Sequence, residues 1–314
     1  MRSAPGFLVS AGRVVWRFRS SDAGMLARME GLLASHKALP GGEPTWDVWI
    51  ETQAPPLGLE EDGAEGLWRG TFADGRPLRV RRVSRSRFEA RVSGGGRVWA
   101  DAATGQAAIE LSAETMATGQ GRLGECFLAL LQLAMAESGR FTVHAGCVAR
   151  DGRALLLLGE SGAGKTTLSL ALGRQGWAFM GDDIVLVENR GGQAVVHALL
   201  LPAKILRPDG GKDLLTVEAM HGMGVAREAV IAGVARLSRD GQGRHELVAV
   251  DRRQVLLWML EQGNDPAMYG EAGAEWFGAA AAVAETAAGW SWRVGRLDGQ
   301  EEGVARAAVK AGGG

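Results

Sequence analysis

Eight residues, Gly159-Glu160-Ser161-Gly162-Ala163-Gly164-Lys165-Thr166, fit the phosphate-loop pattern G-x-x-x-x-G-K-[ST] at every specified position. Glycines let the chain bend so that successive backbone N–H groups face the oxygens of a bound phosphate. A helix that follows adds its positive N-terminal end. Lys165 supplies a mobile charge for the outer phosphates, and the Thr166 hydroxyl is the expected ligand of Mg²⁺. Thr167 brings a second hydroxyl toward the inner phosphate. The ligand this implies is a nucleoside triphosphate, ATP, with Mg²⁺. Glycine is abundant here, at 47 of 314 residues, which makes chance matches easier. The flanks decide the matter: an apolar run, Ala154–Leu158, leads in and a helical pattern, Thr167–Leu172, leads out.

Asp182 and Asp183 stand 17 and 18 positions after Lys165, at the end of the next predicted strand. One returning helix brings that strand end beside the loop, where open α/β sheets bind ligands. Two carboxylates there can divide the work of phosphoryl transfer, one holding the metal and one accepting the proton of an attacking hydroxyl. Turn and capping roles are the plainer alternative, since aspartate serves both. His144 lies on the strand preceding the loop strand, as either a core histidine or a site residue.

The elements that position these groups follow from pattern. Residues 1–118 read as a β-rich α+β domain. Val14–Phe18 alternates like a strand, and Ser21 or Asp22 caps a helix carrying Met25, Met29 and Leu33. Strand-like pieces then alternate with turns at Ala73-Asp74-Gly75, at 93–96 and at Ala103-Thr104-Gly105, which predicts an antiparallel meander. Residues 119–314 read as an α/β domain with a mixed sheet. A helix over about 121–138 bridges the two halves, and a strand covers 141–150. Further strands are predicted at 177–180 and 290–297, a hairpin across Gly191-Gly192, and helices near 251–262, 274–288 and 300–311.

Composition narrows the class. Thirty-five basic residues balance 36 acidic ones, so no overall field points to nucleic acid or a membrane surface. Cys126 and Cys147 sit in apolar surroundings without metal or redox spacing, as in a reducing compartment. The longest apolar run, Cys126–Ala136, is too short to span a bilayer, and Phe7-Leu8-Val9 is too brief for a signal-peptide core. The expected setting is cytoplasmic. Arg76, Arg79, Arg81, Arg82, Arg85, Arg87, Arg91 and Arg97 crowd the N-terminal meander. They read as a solvated or aggregation-guarding face, with docking of an acidic partner as the alternative. Trp46, Trp49, Trp68 and Trp99 are expected in the N-terminal core.

Taken together, His144-Ala145-Gly146, the loop Gly159–Thr166 and Gly181-Asp182-Asp183 resemble the catalytic core of the HPr kinase/phosphorylase superfamily, itself similar in fold to the phosphoenolpyruvate carboxykinases. The likeness is good over about 141–188 and loose over 121–300. It is strongest to the divergent branch that includes kinases of lasso-peptide precursors. The resemblance implies an HPr-kinase-type P-loop domain after the β-rich domain, and an ATP- and Mg²⁺-dependent transfer to a serine-type hydroxyl of a peptide or small protein. It implies Asp182 as base, Asp183 and Thr166 on the metal, and His144 near the transferred phosphate, the two acids being interchangeable at this stage. The family's higher oligomers leave a homo-oligomer open. Two departures stand out. Thr166-Thr167 replaces the family's Ser-Glu, and Ala219-Met220-His221-Gly222-Met223-Gly224 is a degraded echo of its second signature, with Glu218 one place early. Both speak against HPr as acceptor and against the reverse reaction. A small-molecule kinase and a non-catalytic, nucleotide-gated binding module are the rival readings.

Overall fold

The computed structural model describes residues 5–36, 43–53, 67–71, 77–84, 86–92, 96–112, 121–206, 212–215, 223–239 and 243–310. The chain forms two compact units. One comprises Met1–Ser138 with Pro266–Gly273, and the other Gly139–Asp265 with Ala274–Gly314.

In the first unit, β1 (Gly6–Ala11), β2 (Val14–Ser20), β3 (Trp46–Gln53), β4 (Leu67–Thr71), β5 (Pro77–Arg82), β6 (Arg87–Val92), β7 (Gly96–Asp101) and β8 (Gln106–Ser112) build one sheet, in the order β1-β2-β3-β8-β7-β6-β5-β4. Strands β4 to β8 are the predicted antiparallel meander, whereas β3 runs parallel to both its neighbours. The turn at Ala103–Gly105 is present, while 73–75 and 93–95 lie outside the described residues. Helix α1 (Ala23–Leu32) is capped by Asp22, whose Oδ1 accepts from the N–H groups of Gly24 and Met25.

Alternation along the strands sends one set of side chains to the core. Trp16, Phe18, Val48, Ile50, Val80, Phe88, Val98 and Ile109 are all buried there. Helix α2 (Gly121–Ala136) closes that face, packing on β6, β7 and β8 with Phe127 edge-on to Phe18 at 5.9 Å. The predicted helix therefore exists, but it belongs to the first unit instead of bridging two halves. The division falls at 138/139, because an apolar helix face that covers this sheet cannot also be detached from it.

The second unit holds β9 (Arg140–Val143), β10 (Gly146–Arg150), β11 (Arg153–Leu158), α3 (Lys165–Arg174), β12 (Ala178–Gly181), β13 (Val185–Arg190), β14 (Gln193–His197), the small β15 (Ala203–Leu206) and β16 (Lys212–Leu215) pair, β17 (Glu228–Arg239), β18 (Glu246–Val250), α4 (Arg252–Gln262), α5 (Gly273–Thr286), β19 (Ala288–Val294) and α6 (Gln300–Lys310). The large sheet is mixed, in the order β12-β10-β11-β17-β14-β13-β9, with β19 and β18 branching from β17. The expected strand over 141–150 is two strands broken at His144-Ala145. Its halves pair with different neighbours, β9 with β13 and β10 with β11 and β12. Leu155, Leu157, Ala235 and Trp292 from the sheet pack against Leu168 and Leu172 of α3 and Ala305 and Ala308 of α6. Among the described residues, no helix is long and apolar enough to cross a membrane.

Candidate active site

Strand direction places the chemistry. β10 is antiparallel to both β11 and β12, so β11 and β12 run the same way with β10 between them. The end of β11, the end of β12 and the start of β10 therefore share one edge of the sheet. The glycine-rich loop, the two aspartates and the His144–Gly146 turn all emerge there.

The loop runs from buried Leu158 to Lys165, the first residue of α3. Gly159, Gly162 and Gly164 have φ of +144°, +88° and +98°, the region that glycine enters without a Cβ penalty. A Cβ at Gly162 or Gly164 would have nothing within 4 Å, so the space facing the loop is open. Gly164 caps α3 without a side-chain hydrogen bond, which leaves the helix's first N–H groups to other acceptors. Some loop groups are already engaged: Ala163 N–H donates to Glu160 C=O, and Lys165 Nζ to Gly159 C=O at 2.7 Å and Glu160 C=O at 3.3 Å. Thr166 is half-buried and Thr167 exposed, both on the first turn of α3.

Lys165 is buried at 7% exposure. Burial lowers its pKa, and the nearby charges of Asp183 and Asp182 oppose that shift. That coupling puts both predicted carboxylates within electrostatic reach of the predicted lysine. Asp182 is itself buried, while Asp183 lies about half exposed. His144 Nε2 is 2.9 Å from Asp183 Oδ1, and the His144 main-chain N–H donates to Gln262 C=O. The structure thus brings together Lys165, Asp182, Asp183 and His144.

Open left-handed glycines, an uncapped helix start and a lysine suit the phosphates of ATP. The Thr166 hydroxyl and the carboxylates of Asp182 and Asp183 are hard oxygen donors of the kind Mg²⁺ prefers. The donor set fits both groups.

Two features were missed in the sequence. Gly146 is a close approach: a Cβ there would lie 3.0 Å from Ser169 Oγ and 3.4 Å from Lys165 Cβ, so its absence lets β10 pass directly behind the lysine. No local pattern announces such a contact. The other is a charge cluster across β13, β14 and β17. Glu188 on β13 accepts from Arg190 at 2.8 Å and faces His197 Nε2 on β14 at 2.7 Å, and Arg190 also reaches Glu228 on β17 at 2.8 Å. It ties three adjacent strands together. Burial lowers the His197 pKa despite Glu188 beside it. The echo of a second signature lies outside the described residues over 219–222. At its far end, Gly224 C=O accepts from Phe179 N–H at 2.8 Å, docking the chain along β12.

No protein-family model and no curated protein matches this chain. Among solved structures, it is similar to the HPr(Ser) kinase/phosphatase from Coxiella burnetii at 15% identity and a TM-score of 0.31, covering 54% of this chain and 93% of that one.

Proposed function

We propose that the protein is an ATP- and Mg²⁺-dependent kinase that transfers the γ-phosphate to a serine-type hydroxyl of a peptide or small protein, such as a ribosomally made peptide precursor. One observation supports this reading above the rest. A buried lysine at the foot of a glycine-rich loop feels two aspartates from the next strand, and one of them is bonded to a histidine.

Mg²⁺, when bound, draws charge from the phosphate oxygens. The loop N–H groups and the start of α3 orient the phosphates. Lys165 leaves its carbonyl partners to neutralise charge growing on the transferred group. Asp182 accepts the proton of the acceptor hydroxyl as its oxygen attacks the γ-phosphorus, whose bond to the β,γ-bridging oxygen breaks so that ADP leaves. Asp183 and Thr166 hold the metal side, and His144 fixes the Asp183 carboxylate.

The test uses γ-labelled ATP with the purified chain and a panel of serine peptides, small proteins and free amino acids. Label on a peptide or protein serine, abolished by Asp182→Asn while ATP still binds, is the expected result. Label on a free amino acid alone would indicate a small-molecule kinase. ATP binding without transfer, unchanged by Asp182→Asn, would leave a nucleotide-gated binding module.

A further inference from the structure

The core-averted face of the first sheet carries an arrangement that ordinary packing does not account for. Arg69 on β4 is registered opposite Arg79 on β5, Arg79 opposite Arg91 on β6, and Arg91 opposite Arg97 on β7. Four arginines therefore form one row across four adjacent strands, with neighbours about 4.8 Å apart. Like charges directly opposite each other on a sheet are destabilising. Guarding a sheet edge against aggregation would account for Arg69 on the terminal strand β4, but not for the three interior positions.

Two members of the row, Arg91 and Arg97, are held by a buried carboxylate on the same face. Glu89, only 7% exposed, receives Arg97 at 2.7 Å, Arg81 at 2.9 Å and Arg91 at 3.4 Å. Burial alone would raise its pKa, yet hydrogen bonds from Arg81 and Arg97 hold it below the usual carboxylate range. One anion thus orders three guanidiniums, and each guanidinium has five N–H donors. Over β4 to β8, the outward charged positions are Arg69, Arg79, Arg81, Arg87, Arg91 and Arg97 against Glu89, Asp101 and Glu110, which pairs with Arg97 at 3.2 Å, six against three.

We propose that this face is a docking surface for an acidic peptide segment in extended form. The row spans about 14 Å, and carboxylates at three alternate positions of an extended chain span about 13 Å, so the two match in overall length. The charge excess supplies the complementarity. Nucleic acid fits less well. Arg19 lies over the Trp49 ring and Arg87 over the Trp99 ring, at 5.9 Å and 5.4 Å from the centroids, where a base would stack. This surface is independent of the phosphoryl-transfer reading.

The experiment titrates the full chain with a fluorescein-labelled peptide of alternating aspartate and serine, followed by anisotropy. The expected result is saturable binding that weakens with added salt and falls about tenfold in the Arg79→Gln/Arg91→Gln double variant. If that variant does not fold, Arg69→Glu, at an exposed position of the terminal strand, must show the loss. Lys165→Ala should bind as the parent does. Any one of four outcomes overturns the proposal: unchanged binding in the folded arginine variants, equal binding of an asparagine-serine peptide, tighter binding of a single-stranded oligonucleotide of equal charge, or loss of binding in Lys165→Ala.

Discussion

His144 Nε2 lies 2.9 Å from Asp183 Oδ1, which joins the turn between β9 and β10 to the turn after β12. Both side chains are substantially exposed, so the pair contributes little to folding. Its value lies in aiming one carboxylate. Asp183→Asn should lower phosphoryl transfer by about 10²–10³-fold, as other preorganised electrostatic groups do on removal. His144→Ala, which only releases that carboxylate, should cost about 10²-fold. Single-turnover rates check both, and melting temperatures should stay within a few degrees of the parent.

Lys165→Ala should remove about 3–4 kcal/mol of transition-state stabilisation, as other preorganised electrostatic groups do on removal. The same change takes a cation out of a buried position, so stability should hold or rise slightly. A variant with normal transfer rates would defeat the assignment.

The lowered pKa of Lys165 has a pH signature. Burial moves its deprotonation below the ordinary lysine value of about 10.4. ADP affinity, measured by calorimetry from neutral to alkaline pH, should therefore begin to fall before that value. Asp183→Asn removes one of the two carboxylates that favour the charged form, so its fall should begin at lower pH still.

Two kinds of glycine resist substitution for different reasons. Gly162→Ala and Gly164→Ala meet no atom but force a left-handed φ, at a cost of about 1–2 kcal/mol in folding. Gly146→Ala has no such backbone demand, but its new methyl would press on Ser169 and on the stem of Lys165. That overpacking should cost about 1–3 kcal/mol in folding, and the transfer rate should drop by roughly 10²-fold. Melting curves and single-turnover assays on the three variants distinguish the cases.

Glu89 makes an acid-side prediction. Its folded pKa lies below the unfolded value of about 4.3, so its stabilising effect is complete at neutral pH and is lost as pH falls through the folded value. Glu188, also depressed by Arg190 and His197, acts with the same sign. Urea midpoints from pH 7 to 3 should decline in the parent, and less steeply in Glu89→Gln.

Much of the fold was legible because its signals are local. The loop announces itself in consecutive residues, the α1 cap is Asp22, one of the two residues expected there, and the hairpin across Gly191-Gly192 forms from 185–190 and 193–197. The predicted site residues could be placed on one sheet edge because strand ends follow from element order. Registration across strands was not legible. Arg69, Arg79, Arg91 and Arg97 could be counted but not aligned, and Arg76 and Arg85 lie outside the described residues. Among the tryptophans, Trp46 stacks on Trp16 in the core, whereas Trp49 and Trp99 turn to the opposite face beneath arginines. Strand parity alone set that difference, and parity depends on where each strand begins.

The visit of Pro266–Gly273 to the first unit means that the polypeptide passes between the units three times, near 138, 265 and 273. Within that visit, Tyr269 and Met268 are buried and Arg82 donates to the Tyr269 carbonyl at 2.9 Å. Neither unit is a cassette. A gene cut after Ser138 would yield a front half lacking eight of its own residues, among them the buried Met268 and Tyr269. Recombination that exchanged front halves between relatives would have to carry a second, distant piece of coding sequence along with the first.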